Sequence, residues 1–310
     1  MTGSLRGSPT AMITPFTDDG INFDVFGEMM EYQIAGGTDA LVVLGTTGEP
    51  ATMTEDEKEA LMRYSVKKNA GRVKLIFGTG GNCTQKAVHM TQLATALGAD
   101  GILAVTPYYN KCTQNGLVEY YKAICGATHL PVICYNVPSR TGVNILPETM
   151  ERIAEIPNIA GIKEASGNMA QVLDTARRIR GKCDLYSGED ALNLPILCVG
   201  GTAVISVLSN LVPAQVKKMV GCALKGDLAR ANELNDALFD LTHACFIEVN
   251  PIPAKAGMKM LGFDAGIPRL PLTPLEKQHE DVLRAALARF AEVKALRSFS
   301  AARADAWGKT

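Results

Sequence analysis

Histidine is scarce in this chain, with 4 in 310 residues. They stand far apart, at positions 89, 129, 243 and 279, and no HxH or HxxxH pairing occurs. A zinc site needs three or four ligands, commonly at short fixed spacings, so metal-dependent hydrolysis and metal-dependent aldol chemistry are not expected. The 8 cysteines are equally scattered, the closest two being nine positions apart, and there is no CxxC. A disulfide framework is therefore not indicated. Free thiols in a reducing cytoplasm are the expectation.

An excess of charge is missing as well, with 31 Lys and Arg against 32 Asp and Glu and a net charge of −1. That balance argues against nucleic acid or an anionic membrane surface as partner, since both demand a surplus of cations. Long apolar runs are absent: Leu194–Leu208 is interrupted by Pro195, Gly200 and Gly201, and a bilayer span needs about 20 apolar residues. The first nine residues, MTGSLRGSP, lack an apolar segment and do not read as a secretory signal. Low complexity is absent too, because 47% hydrophobic and 20% charged residues is ordinary globular composition.

What the chain does have is a regular beat of short Val- and Ile-rich runs. Eight recur: Ala11–Thr14, Ala40–Leu44, Lys74–Phe77, Gly101–Val105, Pro131–Tyr135, Ala160–Lys163, Cys183–Tyr186 and Thr202–Val207. Their near-continuous apolar character suits parallel strands covered on both faces. Helical patterns separate them. Thr54 with Glu57 forms a capping box with Gly71 as a stop, Thr84 is the expected cap of a helix ended by Gly98, and Pro147 and Pro213 suit first helical turns. Eight strand–helix alternations predict an α/β fold, a (β/α)8 TIM barrel. An open doubly wound sheet competes, but no GxGxxG follows the first strand.

The strand signal stops near residue 225. Asp227–Cys245 and Leu275–Leu296 read as amphipathic helices, with Leu283, Leu287 and Phe290 on one face of the second. The expected organisation is a barrel over 1–225, a helical appendage over 226–297 and a flexible Ala- and Ser-rich tail over 298–310.

Barrel chemistry sits at the C-terminal ends of strands. Those positions carry Gly45–Glu49 (GTTGE), Gly78–Asn82, Thr106–Asn110, Tyr135–Gly142 (YNVPSRTG), Lys163–Gly167 and Ser187–Asp190. Lys163 closes a strand that should be buried. It either snorkels or pairs with Glu164, or it is a desolvated amine that attacks carbonyls and forms a Schiff base. The GTTGE turn offers hydroxyls and backbone N–H groups to a carboxylate, though an ordinary strand-to-loop turn has the same composition. Tyr109 and Tyr135 are either core residues or proton relays. Arg140 is either solvated or a fork for a carboxylate.

Taken together these segments resemble dihydrodipicolinate synthases, of the pyruvate-dependent class I aldolase family that also contains N-acetylneuraminate lyase. The likeness runs from Ala11–Phe16 through GTTGE, TPYYN, YNVPSRTG, GIKEASG, SGED and AVISV to Asn250–Lys255. The resemblance implies a lyase that condenses pyruvate with L-aspartate 4-semialdehyde to 4-hydroxy-tetrahydrodipicolinate, toward diaminopimelate and lysine, with no cofactor. Lys163 would form the imine, and Tyr135 would be general acid/base in a relay with Thr46 and a Tyr109 supplied by a neighbouring subunit. Thr46 and Thr47 would lie at the pyruvate carboxylate, Arg140 would hold the aldehyde's carboxylate, and Gly188 and Ile205 would line the pyruvate pocket. A homotetramer, a dimer of dimers, is implied.

The family's lysine-inhibited members have a feedback site that Asn82 and Tyr108 match. Lys86 stands where those enzymes place a carboxylate, and Glu55 and Lys58 replace imidazoles, so inhibition by L-lysine is expected to be weak or absent. A family member acting on a 2-keto sugar acid is the alternative, although SRTG after Tyr135 favours the synthase. A non-catalytic keto-acid-binding paralogue is disfavoured by the presence of Lys163, Tyr135 and Tyr109.

Overall fold

The computed structural model describes residues 5–290. Eight strands form one sheet: β1 (Thr10–Ala11), β2 (Ala40–Val43), β3 (Lys74–Gly78), β4 (Gly101–Val105), β5 (Val132–Asn136), β6 (Ile159–Glu164), β7 (Asp184–Ser187) and β8 (Ala203–Val204). Each pairs in parallel with the next in chain order. Parallel bridges Gly7–Ala203 and Thr10–Ser206 join the last strand to the first. The sheet is a closed barrel.

Helices follow the strands: α1 (Phe23–Ala35), α2 (Glu55–Asn69), α3 (Thr84–Ala96), α4 (Gln114–Gly126), the short α5 (Pro138–Thr141), α6 (Pro147–Ile153), α7 (Met169–Ile179), α8 (Asn193–Cys198) and α9 (Pro213–Leu224). The α2 capping box is present, with Thr54 Oγ1 accepting from Glu57 N at 3.2 Å and Glu57 Oε2 from Thr54 N at 2.9 Å. Pro147 and Pro213 each begin their helix, where the missing N–H removes no bond. The cap of α3 is Cys83 rather than Thr84, which is already helical.

Both end strands are shorter than their apolar runs suggest. Beyond β1, Ile13 N–H donates to Asn210 Oδ1 at 3.2 Å, and beyond β8, Val207 and Leu208 N–H donate to Asp190 Oδ2 at 2.8 and 2.9 Å. Side chains there take the hydrogen bonds a ladder would otherwise supply. A two-residue antiparallel pairing, Phe16–Thr17 with Gly20–Ile21, follows β1 and carries no counterpart in the sequence reading.

Apolar residues divide into two layers. A large cluster fills the space between barrel and helices. A smaller one, including Val42, Ile76, Leu103, Ile133 and Ile205, fills the barrel interior and also contains Tyr135 and Tyr186. Alternation along each strand sends successive side chains to opposite layers.

Among the described residues three further helices follow α9: α10 (Leu228–Cys245), α11 (Ile252–Met260) and α12 (Lys277–Leu287). The last is shorter than expected. It buries Leu283 and Leu287 but ends there, so Phe290 lies beyond it. Residues 291–296 of the expected helix, and the expected tail at 298–310, lie outside the described residues. The C-terminal segment reaches back to the GTTGE turn. Lys255 Nζ lies 2.6 Å from Glu49 Oε1 in a pair that is 1% and 2% exposed. Arg269 N–H donates to the other Glu49 oxygen at 2.9 Å.

Candidate active site

A cavity of about 650 Å³ opens at the C-terminal ends of the strands. Thr46, Tyr135, Arg140 and Asn250 are in its wall, and Lys58, Lys86 and Tyr108 line it further along. Two of the glycines along it let neighbouring backbone approach closely. At Gly78 a Cβ would lie 2.0 Å from Leu44 O, and at Gly80 one would lie 2.3 Å from Val105 N. Both contacts are too close for any side chain.

Lys163 sits just behind this wall, 5% exposed. It is aligned with Tyr135 on β5 and with Tyr186 on β7. Its Nζ lies 4.2 Å from the centroid of the Tyr135 ring. The amine is therefore buried at the strand end, and Lys163 forms no ion pair with Glu164. Glu164 faces the other way: its carboxylate takes Asn136 Nδ2 at 3.1 and 3.2 Å and Ser166 N at 2.7 Å. Burial pushes the Glu164 carboxyl above the usual range, and those hydrogen bonds oppose the shift.

Gly188 explains how the Lys163 stem fits. A Cβ there would meet Lys163 Cε at 2.7 Å and Cγ at 2.8 Å, so glycine leaves the channel through which the lysine runs. Glu189 follows it. Burial raises its carboxyl, Asp190 adds to the effect, and the positive charges of Lys163 and Arg140 act against it. Ile205, 1% exposed, belongs to the inner layer together with Tyr135.

Thr46 and Thr47 lie on a short 3-10 turn at Thr46–Gly48. Thr47 is 3% exposed, and its Oγ1 accepts from Asn250 Nδ2 at 2.9 Å. Arg140, on α5, donates from Nη2 to Asn250 O at 3.1 Å. Asn250 thus touches two of the expected site residues, a role that no local sequence pattern signals.

Tyr109 is the one expected residue the single chain does not bring in. It is 90% exposed and adopts φ 69°, a left-handed conformation unfavourable to a non-glycine residue. The neighbouring Tyr108, by contrast, lines the cavity.

Among the described residues one group of histidine and carboxylates forms away from this wall. Glu248, Glu276 and His279 hold potential ligand atoms within 4.8 Å of one another, and His279 Nδ1 lies 2.6 Å from Glu248 Oε1. Separation in sequence hides that grouping.

Residues 4–290 match the model of the dihydrodipicolinate synthetase family. The chain belongs to that family. The 4-hydroxy-tetrahydrodipicolinate synthase of Caldicellulosiruptor bescii is 48% identical over 283 residues, covering 91% of this chain and 96% of the relative. The crystal structure of dihydrodipicolinate synthase from Aquifex aeolicus superposes with a TM-score of 0.90 at 43% identity, covering 92% of this chain and 98% of that one. The chloride-inhibited enzyme from Acinetobacter baumannii complexed with pyruvate gives a TM-score of 0.90 at 40% identity, covering 92% and 99%. Family membership at this coverage spans the whole barrel and the helices after it, so the eight parallel strands belong to the same TIM-barrel architecture.

Proposed function

We propose that this protein is a Schiff-base lyase that condenses pyruvate with L-aspartate 4-semialdehyde to give 4-hydroxy-tetrahydrodipicolinate, in lysine and diaminopimelate biosynthesis. The observation that carries this reading is the buried Lys163 Nζ beside the Tyr135 ring, 4.2 Å from its centroid, next to the cavity that Arg140 lines. The Lys163 amine attacks the pyruvate carbonyl carbon, water leaves, and the imine draws electrons from the methyl group. A methyl proton is lost and the resulting enamine carbon attacks the aldehyde, whose oxygen takes a proton. The semialdehyde's amino group then attacks the imine carbon, closing the ring and expelling the Lys163 amine. Tyr135 is the general acid/base for these transfers, which need a group within hydrogen-bond reach of the reacting atoms.

The Thr46–Thr47 turn holds the pyruvate carboxylate through hydroxyl and main-chain N–H donors. Gly188 and Ile205 shape the pocket around the methyl group. Arg140 holds the carboxylate of the aldehyde, which a neutral sugar aldehyde would not require. Tyr109 completes the relay with Thr46 in the site of a neighbouring subunit, and its 90% exposure in the single chain fits a side chain used elsewhere. The assembly is a homotetramer built from two such dimers.

Among the described residues no helix is long and apolar enough to cross a membrane. We place the enzyme in the cytoplasm and divide it into a barrel at 1–225 and a helical part at 226–297. Among the described residues the Glu49–Lys255 and Glu57–Arg269 pairs join the two. Steady-state turnover of L-aspartate 4-semialdehyde against 2-keto sugar acids tests the substrate assignment. Efficient use of the semialdehyde, lost selectively in Arg140→Ala while pyruvate KM is kept, is the expected outcome. Preferential turnover of a keto sugar acid would overturn it.

A further inference from the structure

Asn250 belongs to the C-terminal segment, directly before α11, yet it forms part of the cavity wall. It is 6% exposed. Its Nδ2 donates to Thr47 Oγ1 at 2.9 Å, and its backbone oxygen accepts from Arg140 Nη2 at 3.1 Å. Its Oδ1 is buried without any hydrogen-bond partner. An amide held in this way, with its other polar atom unpaired, carries a desolvation cost that no hydrogen bond offsets. Such a loss is commonly retained where the group serves a site.

A hydroxyl has one proton and two lone pairs. When Asn250 Nδ2–H occupies a lone pair of Thr47 Oγ1, the hydroxyl proton remains available to donate. We infer that Asn250 is a positioning residue that orients the Thr47 hydroxyl as a hydrogen-bond donor toward a substrate carboxylate, and that its backbone carbonyl separately steadies the Arg140 guanidinium. This rests on the assignment of Thr47 to the pyruvate carboxylate. The two contacts leave through different atoms, so they separate in experiment. Replacing the side chain breaks the link to Thr47 and leaves the carbonyl that serves Arg140.

The test is a double-mutant cycle on pyruvate KM. Asn250→Ala is made in the wild-type, Thr47→Ser and Thr47→Val backgrounds, with thermal unfolding recorded for each. One uncharged hydrogen bond corresponds to a change of about five- to tenfold. Pyruvate KM is expected to rise by about that factor in the wild-type and Thr47→Ser backgrounds, where the hydroxyl is kept, and not in Thr47→Val. The KM for the semialdehyde and kcat at saturation stay close to wild type. If Asn250→Ala does not fold, Asn250→Ser, whose hydroxyl is too short to reach Thr47, reads the same coupling. An equal rise in all three backgrounds, an unchanged pyruvate KM, or a fall in kcat that follows lost thermal stability would each overturn the proposal. Borohydride trapping of pyruvate on Lys163, run on the same variants, is expected to persist at saturating pyruvate. Its absence already in wild type would instead count against the Schiff-base reading.

Discussion

Lys163 and Tyr135 face each other in register across β6 and β5, with the amine 4.2 Å from the phenol ring centroid. The pairing follows from parallel strands whose inward residues share one layer. It puts the Lys163 amine and the Tyr135 phenol at the same depth of the barrel, which is what their proposed roles as nucleophile and proton carrier require.

Gly188→Ala is expected to disable the enzyme while leaving the fold intact. The added Cβ would stand 2.7 Å from Lys163 Cε, and the lysine must move aside because β7 and the backbone after it are fixed by ladder bonds. A displacement of about 1 Å at a reacting atom can lower the rate by about 100-fold. A kcat fall of at least that order, with unchanged circular dichroism, is the expected result.

Tyr109 provides a test of subunit exchange. Tyr109→Phe and Lys163→Ala are each expected to be strongly impaired alone. Unfolding and refolding them together gives mixed dimers in which the intact Lys163 of one protomer meets the intact Tyr109 of the other. With random pairing in a two-fold dimer, roughly a quarter of wild-type activity should return. No recovery would mean that the phenol acts within its own chain or not at all.

The Glu57–Arg269 pair ties α2 to the C-terminal segment, with Arg269 Nη2 at 2.5 Å from Glu57 Oε1. The guanidinium holds the Glu57 carboxyl below its ordinary value of 4.5. The unfolded chain therefore takes up a proton first as pH falls. The pair's contribution is present above about pH 4.5 and is lost as pH drops through the lower folded-state value. Chemical denaturation of wild type and Glu57→Gln should show a stability gap at neutral pH that narrows on acidification below that point. A gap that widens in acid would contradict the assignment.

L-lysine at sub-millimolar concentration is expected to leave activity unchanged. Lys58, Lys86 and Glu55 all line the outer part of the cavity, and Lys86 Nζ stands 3.8 Å from Glu55 Oε1. Burial of Lys58 lowers its pKa, with Lys86 adding to the effect and Glu55 opposing it. An incoming ammonium would meet these cations, and the nearby carboxylate is already engaged. Steady-state inhibition assays read the outcome directly.

The parts of this design that the sequence displays are local. Strand runs, the Thr54 capping box and the short stretches around Lys163 and Tyr135 each sit within a few residues, where period and composition are visible. The Thr47–Asn250 bond joins positions 203 apart, and the Glu49–Lys255 pair spans slightly further, so neither leaves a pattern in the chain. The shortened β1 and β8 were hidden for the same reason. Their apolar residues suit a strand, but Asn210 and Asp190 take the hydrogen bonds that would extend the ladder. The end of α12 at Leu287 was likewise not visible, because Phe290 keeps the apolar spacing after the helix has ended.

The most direct test of the mechanism is reduction with borohydride in the presence of pyruvate, followed by peptide mass spectrometry. The expected result is one covalent adduct on the peptide carrying Lys163, absent from Lys163→Ala. No adduct in wild type, or an adduct that survives Lys163→Ala, would contradict the Schiff-base assignment.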